Sequence, residues 1–121
     1  MARVFLDANY YIDLTKRAKE KWESLDNDLL FISAISTHIL FYARKLKVPD
    51  QEIEEVQQRF GIVSLTKELI DKALTGPTKD LEDNIQLLSA VDADCDYFLT
   101  SDKNLLNLGI FGKTRIVASL S

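Results

Sequence analysis

One cysteine, one histidine, one tryptophan, four glycines and two prolines are all that the 121 residues hold of those types. A single cysteine excludes a disulfide framework and any multi-thiolate zinc site. Scarce glycine leaves no Gly-rich loop to cradle phosphates. No apolar run reaches the roughly 18 residues that a membrane-spanning helix needs. Asp7 interrupts the amino-terminal Met-Ala-Arg-Val-Phe-Leu before a signal-peptide core can form; with the lone free thiol, this makes the cytoplasm the expected location. Internal repeats and low-complexity segments are absent. Basic charge is also in deficit: 15 Lys+Arg face 19 Asp+Glu, for a net charge of −4. At face value that balance argues against a simple basic nucleic-acid-binding module.

What is present fits one globular domain over residues 1–121, with 46% hydrophobic and 28% charged residues. The charge is unevenly placed. Asp80, Glu82, Asp83, Asp92, Asp94, Asp96 and Asp102 supply seven of the 19 acids, with no Lys or Arg between them. The remainder holds 12 acids and 15 bases, or +3. Such a segment reads either as a solvated face or as carboxylates gathered for a cation.

Arg3–Leu6 is a short β-favouring apolar run, and a helix is expected over Ala8–Ala18. A second, exposed helix is expected over Lys16–Leu25 around Trp22, and a strand over Leu29–Ser33. Ser36 reads as the N-cap of a helix over Thr37–Leu46. Pro49 sits early in a further helix that Gly61 ends, with Ile53, Val56 and Phe60 spaced for packing. A strand is expected over Ile62–Leu65, and a helix capped by Thr66 follows. After a Thr75–Thr78 loop, Asp80 caps a helix to about Asp92. Tyr97–Thr100 reads as a strand, Asp102–Leu108 as a helical turn and Arg115–Ala118 as a last strand. Strands alternating with helices predict an α/β fold, a three-layer α/β/α sandwich around a central parallel sheet. Right-handed crossovers then gather the strand-to-helix loops at one edge, where ligands bind in such sheets.

Asp7 closes the first strand, and Asp102 follows the Tyr97–Thr100 strand. Asp80 and Asp83 share a helical first turn, and His38 lies in the first turn of the helix after the second strand. Acids at helix N-termini are stabilised by the dipole and need no ligand. Three or four of them at one edge repel, however, by roughly 4 kcal/mol per close pair at an effective dielectric of 20. Hard carboxylate oxygens suit Mg²⁺ or Mn²⁺, ions that keep waters and bind phosphate oxygens.

At these residues the chain resembles the PIN domain, the metal-dependent nuclease fold of VapC-type toxins and of RNA-decay endonucleases. The resemblance runs through VFLDANYYIDL (4–14), FISAISTHILFYARK (31–45), DLEDNIQLLSA (80–90) and DYFLTSDKNL (96–105), nearly the whole chain. It implies Asp7, Asp83 and Asp102 as metal ligands. Asn9, Asp80, Asp96, Thr100 and Ser101 would be supporting residues, and Mg²⁺ or Mn²⁺ the cofactor. His38 stands where the family usually carries a glutamate. Histidine favours softer metals than Mg²⁺ and removes a negative charge; here it would orient water, contact the scissile phosphate or bind Mn²⁺, or else mark weakened activity.

The implied activity is hydrolysis of RNA phosphodiester bonds. RNA would approach over Arg3, Lys16, Arg17, Lys19, Arg44, Lys45, Lys47 and Lys103, with Arg44, Lys45 and Lys103 foremost. Lys16–Lys21 reads equally as a solvated helix face, and Arg44–Lys47 as complements to a helix dipole. Tyr10, Tyr11, Phe41 and Tyr42 read as packing residues before base-stacking ones. Cys95 reads as a small, inert residue. The related toxins imply an antitoxin protein as partner and a homodimer, with no membrane. Two other readings compete. One is a degenerate PIN module that binds RNA or protein without cutting. The other is a phospho-receiver, which lacks its paired acids here because Asp7 stands alone.

Overall fold

A computed structural model describes residues 1–16 and 25–120. The expected helix over Lys16–Leu25, with Trp22 and the basic residues Arg17 and Lys19, therefore lies almost wholly outside the described residues. The strands are β1 (Arg3–Leu6), β2 (Leu29–Ser33), β3 (Phe60–Val63), β4 (Tyr97–Leu99), β5 (Ile110–Phe111) and β6 (Thr114–Val117). The described helices are α1 (Ala8–Lys16), α2 (Ser36–Arg44), α3 (Gln51–Gln57), α4 (Lys67–Ala73), α5 (Leu81–Asp92) and α6 (Lys103–Leu108). Six strands form one sheet in the order β3-β2-β1-β4-β6-β5, parallel except where β5 pairs antiparallel with β6.

β1 lies in the middle of the sheet, and Val4, Phe5 and Leu6 are all fully buried, as a strand covered on both faces requires. Alternation sends Val4 and Leu6 to one side, against Tyr11, Leu14, Leu40 and Ile53 of α1, α2 and α3. Phe5 points to the other side, stacked on Phe98 with ring centroids 5.4 Å apart, among Leu87, Ala90 and Leu105 of α5 and α6. The fold is thus the expected three-layer α/β/α sandwich. Tyr11 and Cys95 are fully buried; burial pushes the Cys95 thiol up to about 12, so it is inert at neutral pH. Tyr10 and Phe41 are half-buried against the α1 side of the core, whereas Tyr42 is 82% exposed.

Local details differ from expectation where tertiary packing outweighs local signals. Ser36 is the first helical residue, not the cap: Ile35 occupies the cap position without a side-chain hydrogen bond, and the Ser36 Oγ is buried without a partner among the described residues. α2 stops at Arg44 because Lys45 turns left-handed (φ 55°), and its N–H and that of Leu46 close on Tyr42 and Phe41 carbonyls. Asp50, rather than Pro49, opens α3, accepting a hydrogen bond from the Ile53 amide at 3.0 Å. Gly61 does not end α3. It lies inside β3, where a Cβ would stand 2.6 Å from the Phe31 ring. Phe60 likewise belongs to β3, with its ring edge-on to Tyr11 at 5.2 Å. β5, two residues long, carries too little pattern to be read from sequence.

Candidate active site

The β1–β4 register pairs Leu6 with Leu99. The next residue along each strand is Asp7 and Thr100, so the two polar side chains emerge side by side at the carboxyl edge of the sheet. The Thr100 hydroxyl donates to Asp7 Oδ2 at 2.7 Å, and the Asp7 amide donates to the Leu99 carbonyl at 3.0 Å. The Thr100 Oγ1 also accepts from the Asp102 amide at 3.0 Å. One buried hydroxyl therefore joins the ends of β1 and β4. Asp102 caps α6, its Oδ1 accepting from the Asn104 and Leu105 amides at 2.8 and 3.2 Å.

The third acid arrives on α5, which runs back from this edge to the start of β4. Asp80 Oδ1 accepts from the Asp83 amide at 2.9 Å, the cap that the sequence predicts. The preceding loop is pinned by buried Asn84. Its Oδ1 accepts from the Thr78 amide and hydroxyl, at 2.8 and 2.7 Å, and its Nδ2 donates to the Ala73 and Thr78 carbonyls. Asn84 thus fixes where the first turn of α5 begins, and with it where Asp83 stands.

The charges of these acids act on one another. Asp83 is pushed up to about 6, first by burial, then by the negative charges of Asp80, Asp7, Asp102 and Glu82. Asp7 is also raised. Burial is the main cause, opposed by hydrogen bonds from Thr100 and the Ala8 amide and reinforced by Asp102 and Glu82. The three described salt bridges, Arg59–Asp26, Lys67–Asp71 and Lys113–Asp94, involve none of these acids. The donor chemistry is that of hard oxygen ligands. Among the described residues, though, no three His, Cys, Asp or Glu side chains stand close enough together to enclose an ion as they are.

The other sequence-predicted residues are placed differently. His38 is exposed in the first turn of α2; it forms no hydrogen bond or ion pair with described residues, and the groups that shift Asp7 and Asp83 do not include it. Asn9 and Ser101 are exposed beside Asp7 and Asp102 in sequence. Asp96 is not brought to the cluster. It sits at the amino end of β4, where its Oδ2 accepts from the Arg3 amide at 2.9 Å. Arg3 itself is half-buried, its guanidinium donating to the Ala93 carbonyl and lying 4.5 Å from the Phe31 ring centre. Arg44 is committed within the fold: it donates to the Ile12 carbonyl at 2.9 Å, and its Nε is buried. Lys45 and Lys103 are exposed, the latter in the first turn of α6 beside Asp102. A cleft of about 420 Å³ lined by Asp96, Tyr97, Lys113 and Arg115 opens at the amino-terminal edge of the sheet, away from the carboxylates.

Sequence reasoning missed two groups. Glu82 is exposed, yet its charge acts on both Asp7 and Asp83. Gln86 is fully buried and accepts from the Ala8 amide at 2.9 Å. The available signal was an amide among Ile85, Leu87 and Leu88, three residues after Asp83 and so on its helical face.

No family model and no curated protein matches the chain. Among solved structures it is similar to a chain of VapBC2 from Rickettsia felis bound to a DNA fragment from their promoter, with a TM-score of 0.70 and 14% identity. The match covers 95% of this chain and 97% of that one. At that identity the likeness establishes the fold, which is PIN-like over essentially the whole domain.

Proposed function

We propose that the chain is a divalent-metal-dependent endoribonuclease whose ligands are Asp7, Asp83 and Asp102. The observation that carries this reading is that the charges of Asp7 and Asp102, at the ends of β1 and β4, reach Asp83 in the first turn of α5, which is raised to about 6 first by burial and then by its acidic neighbours, while no salt bridge among the described residues involves any of the three. A fold that builds this repulsion stores an affinity for positive charge. Mg²⁺ or Mn²⁺ matches the donor chemistry, and Asp7, Asp83 and Asp102 would be its ligands. When bound, such an ion supplies Lewis acidity toward a phosphodiester and lets water attack at neutral pH.

The protein's own groups set the geometry. Thr100 donates to Oδ2 of Asp7 and fixes that carboxylate at the end of β1. Asp102 spends Oδ1 on α6 and keeps Oδ2. Asp80 caps α5 and adds negative charge beside Asp83. RNA would be met by exposed lysines such as Lys45 and Lys103. The shared fold with a VapBC2 chain supports a toxin role, with an antitoxin protein as partner.

A second reading, a PIN-like module that binds RNA or protein without cutting, is favoured by exposed His38, without a partner among the described residues, at the family's glutamate position and by the open spacing of the acids. Labelled RNA incubated with Mg²⁺ or Mn²⁺ and wild type, Asp83→Asn or His38→Glu separates the two. Cleavage by wild type that is lost in Asp83→Asn and rises in His38→Glu supports the nuclease. No cleavage with either metal, together with no metal-induced thermal shift, supports the binding module.

A further inference from the structure

We infer that the outer face of α2 is a stacking platform for single-stranded RNA, with Tyr42 as the base contact and Lys45 and Lys47 as the phosphate contacts. This inference rests on RNA as the substrate class proposed above, and not on the carboxylates or on any ion.

α2 buries Ser36 and Leu40 and ties Arg44 to the Ile12 carbonyl, which settles its inward face. His38 and Tyr42 lie one turn apart on the opposite face, and both are exposed. Of the four aromatic residues read as packing residues, Tyr10, Tyr11 and Phe41 do pack against the core. Tyr42 departs from that reading: it is 82% exposed, with no side-chain hydrogen bond or ring contact among the described residues. One bare tyrosine needs no explanation by itself. Its surroundings distinguish it. The chain holds 19 Asp+Glu, yet none occurs between Asp28 and Asp50, where His38, Arg44, Lys45 and Lys47 fall. Lys45 and Lys47 are exposed and enter none of the described salt bridges. Cations after a helix also complement its dipole, which explains their sign but neither the missing acids nor the bare ring.

α2 follows β2 and so starts at the carboxyl edge of the sheet. His38 stands in its first turn, Tyr42 about 6 Å further along the axis, and the lysines just beyond the helix end. A strand on this face leads away from the edge, with a base on Tyr42 and the next phosphates beside the lysines. Stacking on an exposed ring takes an unpaired base, so the strand is single. The other flank of α2 has the opposite character. A groove of about 330 Å³ there, lined by Phe41, Val48 and Ile53, also carries Asp50 and Glu54, whose charges repel a phosphate backbone.

The test measures anisotropy of a short, unstructured fluorescent RNA, with chelator present so that it is not cut, for wild type, Tyr42→Ala, Tyr42→Phe and Lys45→Ala. Tyr42→Ala is expected to melt as wild type does and to bind at least about fivefold more weakly, with an unchanged salt slope. Tyr42→Phe keeps the ring face and is expected to bind as wild type does. Lys45→Ala is expected to weaken binding and make the salt slope shallower by about 1. On irradiation, RNA carrying 5-iodouridine is expected to cross-link to Tyr42 of the wild-type chain, a readout that needs no variant to fold. A folded Tyr42→Ala that binds RNA as tightly as wild type overturns the inference, as does a Tyr42→Phe as weak as Tyr42→Ala, or a cross-link confined to residues outside α2. A Tyr42→Ala chain that keeps its RNA affinity but changes its mass in light scattering overturns it in favour of a protein contact. Wild type that binds no RNA overturns the proposed substrate class, and the platform with it.

Discussion

Thr100 does at the scale of one hydroxyl what the sheet register does for the whole edge. It donates to Asp7 and accepts from the Asp102 amide, so a single buried oxygen sets two of the three acids. Thr100→Val keeps the shape and removes both bonds. It leaves Asp7 with one fewer donor and the Asp102 amide without its acceptor, at a cost of about 1–3 kcal/mol, readable as a lower urea midpoint at unchanged m-value. An unchanged midpoint would show that the hydroxyl does not hold the edge. Asp83 gives a second prediction, in which the sign matters. Its carboxyl titrates at about 6 in the folded chain, against about 3.9 unfolded. The folded state therefore binds more protons between those values, and stability falls as pH rises from about 4 to about 6. The favourable contribution is whole below pH 4 and gone above pH 6. Asp7, also raised, adds a fall of the same sign. In a chelator-treated sample, Asp83→Asn should lose less stability than wild type between pH 4 and pH 6.5. Equal slopes would mean that burial and the neighbouring acids do not raise Asp83.

Elements whose ends carry their own chemistry are legible in sequence. Thr66 and Asp80 cap α4 and α5 as read, accepting from the Leu69 and Asp83 amides, because a cap is a local hydrogen bond three residues long. Arg3–Leu6 and Leu29–Ser33 match β1 and β2 because buried parallel strands are unbroken apolar runs. Gly61 shows what local reading does not reach. It follows a helix and reads as its terminator, yet its reason for being glycine lies in Phe31 on the neighbouring strand. The Phe31 ring stands over Gly61 and beneath the Arg3 guanidinium, so three elements meet at one absent side chain. Gly61→Ala would drive a Cβ to 2.6 Å from Cδ2 of that ring and displace it from Arg3. The expected loss is about 1–3 kcal/mol by chemical denaturation, shrinking when Phe31 is also replaced by Leu. A loss that persists in full in the double variant would place the strain in the β3 backbone rather than in the ring. The candidate residues divide in the same way. Asp7, Asp83 and Asp102 follow from element order, whereas the ties that Arg44 and Gln86 make to distant backbone depend on packing that no short window contains.

Over the whole molecule, the −4 charge divides into an acidic stretch that holds Asp80, Glu82, Asp83 and Asp102, and a remainder of +3. Folding brings Asp7 out of that remainder to the acids of the stretch, so the native state concentrates repulsion that the unfolded chain spreads out. An ion that binds this arrangement binds the folded chain in preference to the unfolded one. Its effect on stability then follows mass action, about 2.7 kcal/mol at a hundredfold excess over Kd, or about 10 °C in Tm for a domain of this length. General screening predicts a different pattern, in which NaCl at matched ionic strength does as well as MgCl₂ and removing one acid changes little. The melting experiment is therefore run with MgCl₂, MnCl₂ and NaCl at equal ionic strength on wild type, Asp7→Asn and Asp83→Asn. The expected outcome has two parts: the chelator-treated Asn variants melt at or above wild type, because each loses a repelled carboxylate, and only wild type gains from the divalent ions. A wild type that gains equally from all three salts would make the acidic edge a solvated surface, and the PIN-like fold would then serve something other than metal-dependent cleavage.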